Sequence, residues 1–250
     1  MALLPRKSMG LAPSSASDRR RRLRGGAAFL AAAILVPVAV LVSSQGLRST
    51  LAAAPVRALR SVVSQLAGGL LEERGLDLVE GHAAILRAAA EEFEVPVNWL
   101  GGIMFAESRG RGGQTSSRGA LGLMQLVKAS ARDAGVRAGI ELPAEDAALV
   151  QKLLRDDALN VRLGAAHLSW LLEHRGDWSD EAVMVSYNAG RARLFQWIEK
   201  RGSYDAWVEA EEARARRGEA TTGALAYARQ VLAARDVLTE RGNLGPRPRE

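Results

Sequence analysis

Cysteine is absent from the 250 residues of this chain. Disulfides, thiolate zinc sites and a cysteine nucleophile are therefore excluded, and so is a lipid anchor attached through cysteine. β-Branched runs and strand-like alternation are scarce, while alanine, leucine and arginine dominate, which favours an all-α domain. Apolar residues make up 48% of the sequence, enough to bury a sizeable core. The three histidines, His82, His167 and His174, lack the spacing and carboxylate support of a metal set, so no metal or cofactor is expected. No P-loop lysine-serine pair or dinucleotide fingerprint accompanies the glycine-rich stretch 109–120, which makes phosphate binding a poor reading of it.

The net charge of +6 does not describe a cationic domain. Residues 1–26 hold seven basic side chains (Arg6, Lys7, Arg19, Arg20, Arg21, Arg22 and Arg24) against one acid, Asp18, and so carry the whole excess. The rest of the chain is neutral overall, and no nucleic-acid partner is expected. After this tail comes an uncharged run at 27–46, broken only by Pro37. A helix of that length spans ~30 Å, about the hydrocarbon core of a bilayer. The arginine block at its start should hold that end in the cytoplasm and place the residues beyond Gly46 outside. Either an uncleaved signal anchor or a signal peptide cut after Ser43 or Ser44 fits this pattern, and the anchor is preferred.

Residues 47–76 read as a juxtamembrane helix or linker, with Leu51, Leu59, Val62, Leu66 and Leu70 near helical spacing and an end near Gly75. The globular part is expected over 77–241, followed by a disordered tail at 242–250. Its expected helices are 78–93, 97–108, 122–134, 145–155, 157–174, 180–188, 191–200 and 222–240. Val208 to Glu219 reads as a solvated helix or a mobile segment. Trp99, Trp170, Trp178, Trp197 and Trp207 read mostly as core anchors.

Pro96 is placed to start a helix on which Leu100, Ile103, Met104 and Glu107 share one stripe. A carboxylic acid on an apolar face, in the last turn where the helix dipole is negative, is pushed towards its protonated form. That is the form a general acid needs. Spacing alone equally allows a glutamate that emerges at the helix end and bonds to the next loop. Further on, Gly119-Ala120-Leu121-Gly122-Leu123-Met124-Gln125 suits backbone packed against an extended ligand, with Gln125 offering an amide. Ser186-Tyr187-Asn188-Ala189-Gly190 adds a tyrosine whose flat face and hydroxyl suit a sugar ring.

Three segments in this order, Glu107-Ser108, Ser116 to Gln125 and Ser186 to Gly190, resemble the lytic transglycosylases with a soluble-lytic-transglycosylase-type, goose-lysozyme-like catalytic domain. Asn160-Val161-Arg162-Leu163-Gly164 is similar to another family segment, and Tyr227 with Val231 to a weaker one. The resemblance covers roughly residues 80–240. It implies an all-α, lysozyme-like helical domain with a glycan-binding groove, and peptidoglycan strands as substrate. It implies Glu107 as catalytic acid and base, and Ser116, Met124, Gln125, Tyr187 and Asn188 as substrate-side residues, with Tyr187 also orienting Glu107. The reaction implied is cleavage of the MurNAc-GlcNAc β-1,4 bond with closure of a 1,6-anhydro ring, at the periplasmic side of the inner membrane. A plausible partner is an envelope machine, of which the sequence names none.

Three positions depart from the family pattern. Ser186 stands for the usual alanine, His167 stands where tyrosine is frequent, and Arg191-Ala192-Arg193 stands where Gly-Pro-Gly is frequent. These bear on groove shape and subsites. A goose-type hydrolase, with Asp133 or Glu141 as second carboxylate, and a non-catalytic glycan-binding envelope protein are the alternative readings.

An uncleaved anchor predicts that the membrane-purified protein reads from its first residues in N-terminal sequencing. A new terminus just after Ser43 or Ser44 would instead establish a cleaved signal peptide.

Overall fold

Pro96 needs no N–H donor, and its extended backbone (φ −63°, ψ 124°) leads directly into a helix, Val97–Ser108. The computed structural model describes residues 68–245. The basic tail, the apolar run 27–46, most of 47–76 and residues 246–250 lie outside the described residues. Those described fall almost wholly within one unit, Leu70–Glu250. Every regular element among them is a helix, and β pairing is limited to two isolated bridges, Thr115 with Leu121 and Leu121 with Leu126. Among the described residues, no helix is long and apolar enough to cross a membrane.

Helix α1 occupies residues 68–81 and α2 spans Ala83–Glu92. Helix α1 runs through Gly75, where the sequence suggested an end. A Cβ there would lie 2.9 Å from the Phe105 ring, so this glycine permits close packing rather than stopping the helix. Helix α3 is Val97–Ser108, α4 Lys128–Ala138 and α5 Asp146–Arg155. Helix α6, Asp157–Glu173, is capped by Asp156, whose carboxylate accepts from Leu159 N at 2.9 Å. Helix α7, Asp180–Ala189, is capped in the same way by Ser179. Helices α8 (Arg191–Arg201), α9 (Tyr204–Arg216) and α10 (Ala224–Arg241) complete the order.

Two further expectations change. The helix expected over 122–134 begins only at Lys128, because 121–126 is a tight turn closed by reciprocal Leu121–Leu126 backbone hydrogen bonds of 3.0 and 3.1 Å. The stretch around Val208 to Glu219 is largely helical and not merely solvated. Trp207 and Glu211 of α9 are buried, and Glu211 accepts from Thr222 N and Oγ1 at 2.7 and 2.8 Å, holding the loop before α10.

Helices α3 and α6 form the centre. Every residue from Leu100 to Phe105 is buried, so α3 is enclosed on nearly all sides rather than along one stripe. Helix α10 crosses it at two glycines. A Cβ on Gly101 would fall 2.8 Å from Leu238, and one on Gly102 would fall 2.5 Å from the Val231 carbonyl oxygen. Helix α7 packs against the other side of α10, while α2 and α4 pack on α6. Four of the five tryptophans are partly buried against this core and Trp207 is fully inside it.

A methyl group on Gly102 must push backbone, not a flexible side-chain end. Gly102→Ala is expected to lose about 2 kcal/mol in urea unfolding, despite the higher helix propensity of alanine. Gly81→Ala, where a Cβ meets nothing within 4 Å, should be neutral or slightly stabilising. Equal effects from the two changes would contradict this packing.

Candidate active site

Glu107 is the penultimate residue of α3, and the chain after it is pinned at several points. The Ser108 hydroxyl donates back to Met104 O at 3.2 Å. Arg109 closes the helix in the left-handed region, φ 55°, and lays its guanidinium 4.0 Å over the Phe105 ring. Gly110 (φ 69°) comes so close to the backbone of Leu78 and Val79 that a Cβ would lie 2.7 Å from Val79 N. Its carbonyl meets His82 Nε2 at 3.0 Å.

Two phenols face the Glu107 carboxyl. Tyr187 comes from the last turn of α7 and Tyr227 from the first turn of α10, the two helices that pack against one another behind α3. Both hydroxyls are buried, and neither makes a well-formed hydrogen bond among the described residues. Burial, and then the negative charge of Glu107, push both above the usual tyrosine range. Glu107 itself is raised to about 7, because burial penalises its charged form more than the approach of the Tyr227 hydroxyl favours it. That approach is electrostatic and falls outside hydrogen-bond geometry. The carboxyl is therefore half protonated near neutral pH, poised both to give and to take a proton.

Tyr187 also touches His167 of α6, with ring centroids 5.0 Å apart. Burial, and secondarily the cation of Arg137, lower this imidazole to about 4, so it is neutral when Glu107 titrates. The 114–126 turn supplies the other sequence candidates. The Ser116 hydroxyl accepts from Ala120 N at 3.0 Å, and Gln125 Nε2 donates to Gly122 O at 2.8 Å. Gln125 holds φ 45°, a left-handed conformation that costs about 1 kcal/mol for a residue with a side chain. Met124 is fully buried, its side chain seated on Gly164 of α6. Asn188 is exposed beside Tyr187.

The structure thus places Tyr187 at Glu107, and gathers Ser116, Met124 and Gln125 into one turn. Two further residues prove central. Tyr227 is a partner of Glu107, where the sequence offered only a weak motif. Asn160, fully buried, accepts from Met124 N at 2.8 Å and donates to Leu121 O at 2.9 Å, binding the turn to α6. Asp133 and Glu141 are exposed, and neither contributes to the shift of Glu107. Among the described residues, no cluster of three His, Asp or Glu could hold a metal ion. Two surface concavities, of about 560 Å³ by Lys152 and Arg155 and about 380 Å³ by Phe93 and Leu172, are lined without Glu107.

The family model described as the transglycosylase SLT domain matches residues 84–209. No curated protein matches the chain. Among solved structures, the chain is similar to the X-ray structure of an inactive glutamate-to-glutamine mutant of lytic transglycosylase Slt from Pseudomonas aeruginosa, at 27% identity and a TM-score of 0.53. The similarity covers 66% of this chain and 25% of that one, so the chain spans about a quarter of that protein's length.

Because the pKa of Glu107 rises from 4.5 to about 7 on folding, its ionisation opposes folding. The penalty is absent below pH 4.5 and complete above pH 7. Glu107→Gln should therefore be more stable than the unchanged protein by about 3 kcal/mol at about pH 8, with the difference fading at about pH 4. Urea unfolding at the two pH values checks this, and a pH-independent difference would contradict it.

Proposed function

This chain belongs to the transglycosylase SLT domain family, and we propose that it is a peptidoglycan lytic transglycosylase in which Glu107 is the single acid and base. The observation that carries the reading is a lone carboxyl with pKa about 7, flanked by two buried phenols and, among the described residues, by no second carboxylate. Protonated Glu107 gives its proton to the glycosidic oxygen of the MurNAc-GlcNAc β-1,4 bond as that bond breaks. The N-acetyl carbonyl of the muramic residue assists at the anomeric carbon. The Glu107 carboxylate then takes the proton of the C6 hydroxyl, whose oxygen closes the 1,6-anhydro ring. Proton inventory balances on Glu107 alone, and no water enters. General acid–base work of this kind contributes ~10²–10⁴-fold in rate.

Tyr187 and Tyr227 are proposed to hold the carboxyl in line and to donate to it once it is ionised. The turn 114–126, with Ser116, Met124 and Gln125, is proposed as one wall of the glycan groove, and Asn188 as a contact at its rim. The relative from Pseudomonas is inactive with one glutamate changed to glutamine, and Glu107 is the residue to which we carry that property. On the same reading, the apolar run 27–46 anchors the protein in the inner membrane and presents residues 77–241 to the periplasmic face, where an envelope machine would recruit it.

Incubation with purified peptidoglycan is expected to yield 1,6-anhydro-muropeptides, lighter by one water than hydrolytic products in mass spectrometry. Glu107→Gln should lower turnover by at least ~10²-fold while the protein stays folded. Reducing-end products alone would make the protein a goose-type hydrolase instead.

A further inference from the structure

His167 and Trp170 lie along α6 at helical spacing, His174 caps its C-terminal end, and His167 touches Tyr187 of the candidate active site. Trp170 stacks with both histidines, at 6.5 and 4.8 Å between centroids. Arg137, in the last turn of α4, lays its guanidinium 4.2 Å over the Trp170 ring. Neighbouring arginines spend their donors inside the fold. Arg132 binds Pro143 O, Ala144 O and Asp146, and Arg162 binds Glu92. Arg137 does not. Its nearest acid is Asp133, one turn back at 3.7 Å, and among the described residues no hydrogen bond takes up its N–H groups. Its side chain keeps 34% exposure.

This guanidinium is oriented by the Trp170 ring and, beyond its loose ion pair with Asp133, has no hydrogen-bond partner among the described residues. Stacking on an aromatic face fixes the plane of the group and leaves its N–H edges pointing outward in a fork that matches a carboxylate. It is linked to the Tyr187 side of α6 by ring contacts, since Trp170 beneath it stacks with His167, which touches Tyr187. The sugar rings of peptidoglycan carry neutral N-acetyl groups, so the anionic feature for such a fork to read is the carboxylate borne by the muramic side chain. We propose that Arg137, laid on Trp170, is a subsite that binds a carboxylate of the muramic side chain and favours strands that carry one. The proposal rests on the transglycosylase reading. The carboxylate has two sources, the lactyl group itself or the peptide stem attached to it.

The test compares the full protein with Arg137→Ala and Arg137→Lys on three substrates. These are stem-bearing strands, strands stripped of stems so that the lactyl carboxylate is free, and stripped strands with that carboxylate amidated. Arg137→Ala is expected to raise KM about tenfold on a carboxylate-bearing substrate, with kcat, thermal stability and turnover of the amidated strands unchanged. Arg137→Lys, which keeps the charge without the planar fork, should restore only part of the loss. A loss confined to stem-bearing strands assigns the stem, and a loss confined to stripped strands assigns the lactyl group. The same loss on amidated strands, or no loss on either charged substrate, overturns the subsite alone. No cleavage of any substrate by the unchanged protein overturns the transglycosylase reading and takes the subsite with it.

Discussion

Everything at the active site depends on how closely α10 is allowed to approach α3. Gly101 and Gly102 present no side chain at the crossing, and the Val231 backbone occupies the space a methyl group would need. The approach has two effects. It encloses the middle of α3 on nearly all sides, so the carboxyl at its end is shielded from water from below. It also swings the first turn of α10 over that end, which puts the Tyr227 hydroxyl against Glu107. A wider crossing would solvate the carboxyl and lower its pKa, so the packing of two helices sets the protonation state of the one acid.

The second fixed point is Asn160. Its amide satisfies a carbonyl and an N–H of the turn 121–124. Gly122 reinforces the turn, with φ 73° and a Cβ position only 2.5 Å from Asn160 Nδ2. Burying an amide with its hydrogen bonds made costs little, whereas leaving Met124 N unpaired inside the core would cost about 1–3 kcal/mol. The turn is therefore held from the core side.

These two devices explain what could be read from the sequence and what could not. Helix α3 was legible to the residue, because its start at Pro96 and its stop at Arg109-Gly110 are local chemistry. Helices α5 to α8 were close for the same reason, with Gly or an N-cap at their ends. The start of α4 was misplaced because Asn160, which decides it, lies 36 residues away from Met124. Helix α9 looked merely solvated because one buried tryptophan and one buried glutamate are too few to give a periodic signal. Glu107 stood out through the motifs around it. Tyr227 did not, since its role comes from a crossing between helices more than a hundred residues apart.

The groups around Glu107 share one property: they stay uncharged while it titrates. Burial keeps Tyr187 and Tyr227 protonated, and burial keeps His167 neutral above about 4. An imidazolium there would pull the pKa of Glu107 down, and a second carboxylate would push it up and couple the two titrations. Neither acts on it. Enzymes that flank the sugar with two carboxylates divide acid and base roles between them. On the proposed reading one residue serves both, which requires a pKa near the working pH rather than far to either side. Desolvation, offset in part by the Tyr227 hydroxyl, provides that value, and neither cause is a charged partner whose movement or protonation could shift it.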